Sequence, residues 1–264
     1  MAAEGLRFPS RILTISKNAF REAVRDRILY NLILFVLLIT ASAVFLGELS
    51  AGQEARVIVN LGLSSTLIFG AFISIFVGVS LVWKEIEKRT VYSIFSKPVG
   101  RGEFIVGKYL GLCGTLFVNV AVMGVGVSLA LLYVGGGSLV LQIWPAVALI
   151  FLELTILTAV AIMFSSFSTP ALSALLTFFI FVIGHFSSSL RDLAQEMGSA
   201  TARVVFDAIY YILPNLSHFS FITESSNGMT PPPAMIGGSL LYALIYDVIL
   251  LTITVVIFNR RNFK

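Results

Sequence analysis

Apolar and polar positions alternate along the chain on a long scale. Apolar runs of about 20 residues, the length a helix needs to cross a hydrocarbon core of about 30 Å, are separated by short charged blocks. Six such runs predict six spans, at about 28–47, 61–82, 109–134, 144–164, 171–186 and 234–258. Trp83 closes the second, where an interfacial aromatic is expected. Pro145 suits the first turn of the fourth. The stretch "SSFSTP", 165–170, supplies an uncharged turn between the fourth and fifth, and "PPP", 231–233, a rigid approach to the sixth. The first run begins too far into the chain, and is too long, for a cleaved signal peptide.

The segments between the spans carry patterns of their own. In 11–27, Ile12, Ile15, Ala19 and Ala23 recur at helical spacing while Lys17, Arg21 and Arg25 form a stripe on another face. This predicts an amphipathic helix lying on the inner leaflet. The block 83–108 is far longer than a plain turn between antiparallel spans requires. Glu85 and Arg89 stand at i, i+4 in the favourable order, and a helix over about 84–96 would end before Pro98. The segment 187–233 is long and not especially polar. Within it, "ARVVFDAIYYILPNL", 202–216, reads as a helix at the outer interface ending near Pro214.

Composition agrees with the pattern. Of 264 residues, 57% are hydrophobic and 12% charged, with a mean hydropathy of +0.94, which marks a polytopic membrane protein rather than a soluble domain. Charge then sets orientation. With both termini inside, every Lys and Arg except Arg56, Arg191 and Arg203 falls in a cytoplasmic segment, as the positive-inside rule requires. The basic balance therefore reflects topology and contact with anionic lipid. Nucleic acid is excluded as a partner, because no soluble domain carries a basic stripe.

Candidate chemistry is sparse. "GRGEFIVGKYLG", 100–111, places Gly102, Gly107 and Lys108 at the spacing of a nucleotide-binding loop, but Tyr109 stands where the magnesium-binding Ser or Thr is needed and no strand precedes. The stretch reads as a decoy, with the glycines breaking and restarting the chain at the interface and Lys108 snorkelling to headgroups. Cys113 stands alone in an apolar run, and His185, His218 and scattered methionines lack metal-ligand spacing, so no metal site is expected. An intramembrane hydrolase is disfavoured. "HFSSS", 185–189, offers His and Ser, but adjacent helical residues point apart and no nucleophile elbow is present.

The run "EIEKRTVYSIFSKPVGRGEFIVGKYLG", with Glu85, Glu87, Thr90, Pro98, Arg101, Gly107 and Lys108, closely resembles the cytoplasmic loop of ABC-2 type permeases. "FSSFSTPALSAL" between spans four and five and "YYILPNLSHF" before the last span agree with it. Within the family the resemblance is nearest to the branch containing the permease of the nitrous-oxide-reductase maturation transporter. It implies an all-α fold forming one transmembrane domain over 1–264. Its parts are an interface helix (1–27), spans one and two (28–82), a cytoplasmic coupling loop (83–108), spans three to five (109–186), an external segment of short helices (187–233), and span six with a cytoplasmic tail (234–264).

The resemblance further implies a subunit that binds no cofactor and performs no catalysis. A separate ATP-binding subunit would hold ATP and magnesium, and a second permease, another copy of this chain or a close homologue, would pair with this one. Membrane lipid and an accessory substrate-delivery protein complete the expected partners. The implied location is the plasma membrane of a prokaryote, and the implied activity is ATP-driven movement of substrate, in the export direction. Carried onto this chain, the ATPase-coupling segment comprises Lys84, Glu85, Ile86, Glu87, Lys88, Arg89, Thr90, Val91 and Tyr92, and the N-terminal helix is expected to touch the same ATPase surface.

Polar residues inside spans are costly and face protein or water. Asn119 in span three, Glu153 in span four, His185 toward the outer end of span five and Asp247 in span six are the candidates for the transport pathway or for interhelix bonds. An ionised acid at such depth costs about 2.5–3.5 kcal/mol on insertion scales, and no Lys or Arg lies level with Glu153 or Asp247. The acids are thus expected to be protonated or to face a polar cavity. An ATP-independent secondary transporter is the alternative; it would show repeat symmetry and broken helices, neither of which is legible here.

Overall fold

The computed structural model describes residues 8–25, 52–87, 100–196 and 200–260, together with seven helical positions between 34 and 45. Its regular structure is entirely helical among the described residues. The helices are α1 (Phe8–Arg25), α2 (Glu54–Glu87), α3 (Arg101–Tyr133), α4 (Trp144–Ser165), α5 (Pro170–Glu196), α6 (Ala200–Ile212), α7 (Ile222–Ser226) and α8 (Pro233–Arg260), with single 3-10 turns at Gly137–Leu139 and Leu216–Phe219. Five of them, α2, α3, α4, α5 and α8, are long and apolar enough to cross a membrane. Most of the predicted first span lies outside the described residues. Of its positions, Phe35 and Ile39 are buried in the main core, where Phe35 meets Phe69 of α2 edge-on.

The breaks between helices follow local chemistry. Pro145 occupies the first turn of α4, where its missing amide costs nothing. Ser165 ends that helix, and α5 resumes at Pro170, so the uncharged hexapeptide is the turn. α6 stops at Ile212, before Pro214, and α8 begins at the last of the three prolines. The spans themselves outrun their apolar runs: α2 starts at residue 54 rather than 61, α3 at 101 rather than 109, and α5 continues to 196. Helical hydrogen bonding does not stop where hydrocarbon does, so polar turns extend each rod beyond the apolar run.

α2, α3 and α4 form the centre, and α4 is enclosed on nearly every side. α5 packs on α4 and α2, α8 on α4 and α3, and α1 along α3. The chain between α5 and α8 folds back over the half of the bundle remote from α1, with the Leu216–Phe219 turn against α5 and α4 and α7 against α2.

Two expectations are overturned at the start of α3. Gly102 and Gly107 do not break the chain, because α3 runs through both without interruption. Its first turn is fixed by the Glu103 carboxylate, which accepts the Gly100 N–H at 2.8 Å. Nor does Lys108 reach for headgroups; it is 5% exposed, within the protein. The role of the glycine is close approach. A Cβ at Gly107 would lie 2.6 Å from Ile15, and one at Gly111 would lie 2.6 Å from Ala19 Cβ and from the Ser16 carbonyl oxygen. The apolar stripe of α1 is therefore consumed by α3, with Ala19 and Ala23 fully buried, instead of lying on lipid.

Candidate functional site

The end of the bundle where α1, α2 and α3 meet is organised around one cation. Lys108 Nζ donates to Glu22 Oε2 of α1 at 3.0 Å and to Glu85 Oε1 of α2 at 3.2 Å. Three helices thus meet at one ammonium, which compensates both acids in a partly dry setting. Arg11 of α1 approaches Glu103 at 3.9 Å, adding a second charged contact between α1 and α3. Arg101 donates to the carbonyl oxygens of Phe258 and Asn259, both at 2.9 Å, and so closes the C-terminal end of α8. A cation at that end also complements the helix dipole.

The coupling segment expected at Lys84–Tyr92 meets this cluster at its first residues. Lys84, Glu85, Ile86 and Glu87 form the last turn of α2, without a break between span and segment. Lys88, Arg89, Thr90, Val91 and Tyr92 lie outside the described residues, as does the i, i+4 pairing of Glu85 with Arg89. Trp83 Nε1 donates to Glu87 Oε2 at 3.2 Å, holding the interfacial ring against this turn. The nucleotide-like spacing has no phosphate geometry. From Gly102 to Lys108 the backbone is helical, so its amides point along α3, and the Lys108 ammonium is already shared by two carboxylates.

Within the spans, the polar candidates divide into separate groups. Glu153 on α4 is 1% exposed, and its Oε1 lies 3.3 Å from His185 Nδ1 on α5. The approach is not aligned as a hydrogen bond, and among the described residues neither atom has a hydrogen-bond partner. An imidazole thus stands beside the buried acid. Asp247 on α8 accepts from the Thr155 hydroxyl of α4 at 3.0 Å, and Tyr109 and Cys113 of α3 border the same carboxylate. Asn119 donates within its own helix to the Thr115 carbonyl oxygen at 2.8 Å, while its Oδ1 is buried without a partner among the described residues.

Sequence reasoning missed a fourth group at the opposite end of the bundle. Asn215 Oδ1 accepts from Ser187 Oγ of α5 at 2.8 Å and from Ser217 Oγ at 2.6 Å, and the Asn215 N–H donates to Tyr242 Oη of α8 at 2.8 Å. One asparagine therefore ties the returning external chain to two spans. Gly184 permits the approach, since a Cβ there would lie 2.8 Å from both Leu216 and the Pro214 carbonyl oxygen. His218 stands beside this network with its ring edge-on to Tyr242. "PNLS", 214–217, carried the only advance signal, as a polar interruption in an apolar segment.

Apolar helices, an ionic junction on the basic side and isolated polar groups at depth describe a transport subunit more readily than an enzyme. A family model described as an ABC-2 family transporter protein matches residues 13–263. The chain belongs to the ABC-2 transporter family. Comparison with curated proteins finds no match. As an ABC-2 protein it is a multi-pass membrane permease component of an ABC transporter, and membership implies association with an ATP-binding subunit and pairing of permeases.

Proposed function

We propose that this ABC-2 permease couples ATP hydrolysis on a separate subunit to substrate export across a prokaryotic plasma membrane, working with a second copy of itself. ATP and magnesium belong to the partner in this reading, and the segment starting at Lys84 receives its motion. The observation that carries it is the Glu22–Lys108–Glu85 junction. It lies on the basic side and joins the coupling end of α2 to α1 and α3, so displacement of that end is passed to two further helices. The likeness of 85–111 to the nitrous-oxide-reductase maturation branch supports a place near that branch.

The test is purification of the tagged permease from its host in mild detergent, with partners identified by mass spectrometry and ATP hydrolysis assayed. Recovery of an ATP-binding subunit in fixed ratio, with hydrolysis uncoupled from transport by Glu85→Lys, is the expected result. Recovery of the permease alone, where a control complex survives, counts against it. One observation favours the ATP-independent alternative: the buried Glu153–His185 pair is suited to holding a proton. Transport driven by a proton gradient in vesicles without ATP, and abolished by Glu153→Gln, would establish that alternative.

A further inference from the structure

The face of α1 turned away from its buried stripe does not resemble an ordinary wet surface. Leu13 is 70% exposed, and Leu110 of α3 is exposed beside it. Between the two helices runs a groove of about 340 Å³, lined by Leu13, Ser16, Lys17, Phe20, Leu110 and the glycines 111 and 114. Its floor lacks side chains because both glycines lie there, and its walls are apolar. No acidic residue lines it, and its one charged lining group is the exposed Lys17. Arg21, one turn further along α1, is exposed as well. Neither cation forms an ion pair among the described residues.

Depth distinguishes this groove from a protein-docking surface. α1 runs alongside α3 in the same direction, with Arg11 near Glu103, Ile15 against Gly107 and Ala19 against Gly111. Leu110 to Gly114 therefore lie on the membrane side of the Lys108 junction, in the apolar part of α3, and the exposed Phe117 continues the same surface toward the bilayer centre. A soluble partner approaching from the cytoplasm would meet the charged turns first. By the same offset Lys17 stands level with Tyr109, at the start of a glycine-floored apolar channel that continues past Gly114, and one exposed cation at the mouth of such a channel matches one occupant.

We propose that the α1–α3 groove is a binding site for an anionic phospholipid of the inner leaflet, with one acyl chain along Gly111 and Gly114 and the phosphate at Lys17. The site does not depend on the transport reading. An exposed cation at such a surface contributes roughly a fivefold preference for anionic over zwitterionic lipid. Gly114 is the position at which the channel can be filled without disturbing the helix pair. A Cβ there meets only Phe20, at 3.5 Å, whereas one at Gly111 would strike the α1 backbone.

The experiment is native mass spectrometry of the full chain after incubation with phosphatidylglycerol or with phosphatidylcholine of identical acyl chains. The chain should retain phosphatidylglycerol preferentially. Lys17→Glu should remove about fivefold of that preference, and Gly114→Leu should displace either lipid, while Gly114→Ala behaves as the parent and shows that the helix pair survives. Equal retention of the two lipids by the parent, an unchanged preference in Lys17→Glu, or undiminished retention of both lipids in Gly114→Leu overturns the site. Loss of a co-purifying ATP-binding subunit in those variants, with lipid preference intact, also overturns it and makes the groove a protein interface.

Discussion

α4 and α8 have nearly the same hydropathy, yet 72% of the apolar window of α4 is buried within the chain against 17% for α8. Leu149, Leu154, Leu157 and Ile162 of α4 are sealed among neighbours, while Leu241, Leu244, Val248 and Ile249 of α8 are open. Hydropathy records only that a helix prefers hydrocarbon to water. Inside a bilayer, lipid is as apolar as leucine, so what separates the two helices is packing and polar bonding. The open face of α8 is left for lipid or for a second permease, whereas α4 is committed to its own chain.

Substitutions should therefore rank by enclosure rather than by residue type. Leu154→Ala, which empties the contact with Gly70 on α2, is expected to cost about 3 kcal/mol through the cavity it leaves, measured by reversible unfolding in mixed micelles. Lys108→Met should cost about 2 kcal/mol, because it leaves Glu22 and Glu85 facing each other without the ammonium; their partial exposure to water keeps this below the full price of a broken buried pair. Protease access to α1 should rise with it. Thr155→Val removes a side-chain hydrogen bond joining α4 to α8, and about 1 kcal/mol should follow. Leu244→Ala, the same chemical change as at 154 but on the open face, should alter chain stability by about 0.5 kcal/mol or less. A cost at 244 equal to that at 154 would break the comparison. A loss of permease pairing at 244 without loss of fold would sharpen it, by naming the second copy as what covers α8.

Much of this architecture was legible because it depends on local sequence. The turn at 165–170, the end of α6 before Pro214 and the start of α8 at the prolines all follow from residues adjacent to the break. Contacts between distant residues were not legible. Lys108 looked like a snorkelling lysine because Glu22 and Glu85 lie 86 and 23 residues away, and nothing near it in the chain announces either. Gly102 and Gly107 were read for their freedom at a turn, although α3 runs through both, and Gly107, like Gly111, serves by lacking a side chain. His185 could be placed on its span, but spacing within one helix cannot tell which neighbour it meets, so its position beside Glu153 emerged only in three dimensions. Asp247 and Asn119 stood out as polar positions within spans, without any sign that the first meets Thr155 and the second bonds within its own helix.

The clasp between Arg101 and the end of α8 also has a mechanical consequence. Its two halves are 157 residues apart in the chain, yet one guanidinium at the foot of α3 holds two carbonyl oxygens of α8. A tilt of α3 is therefore shared at once with the end of α8, so the two rods act as one lever whatever the chain between them does.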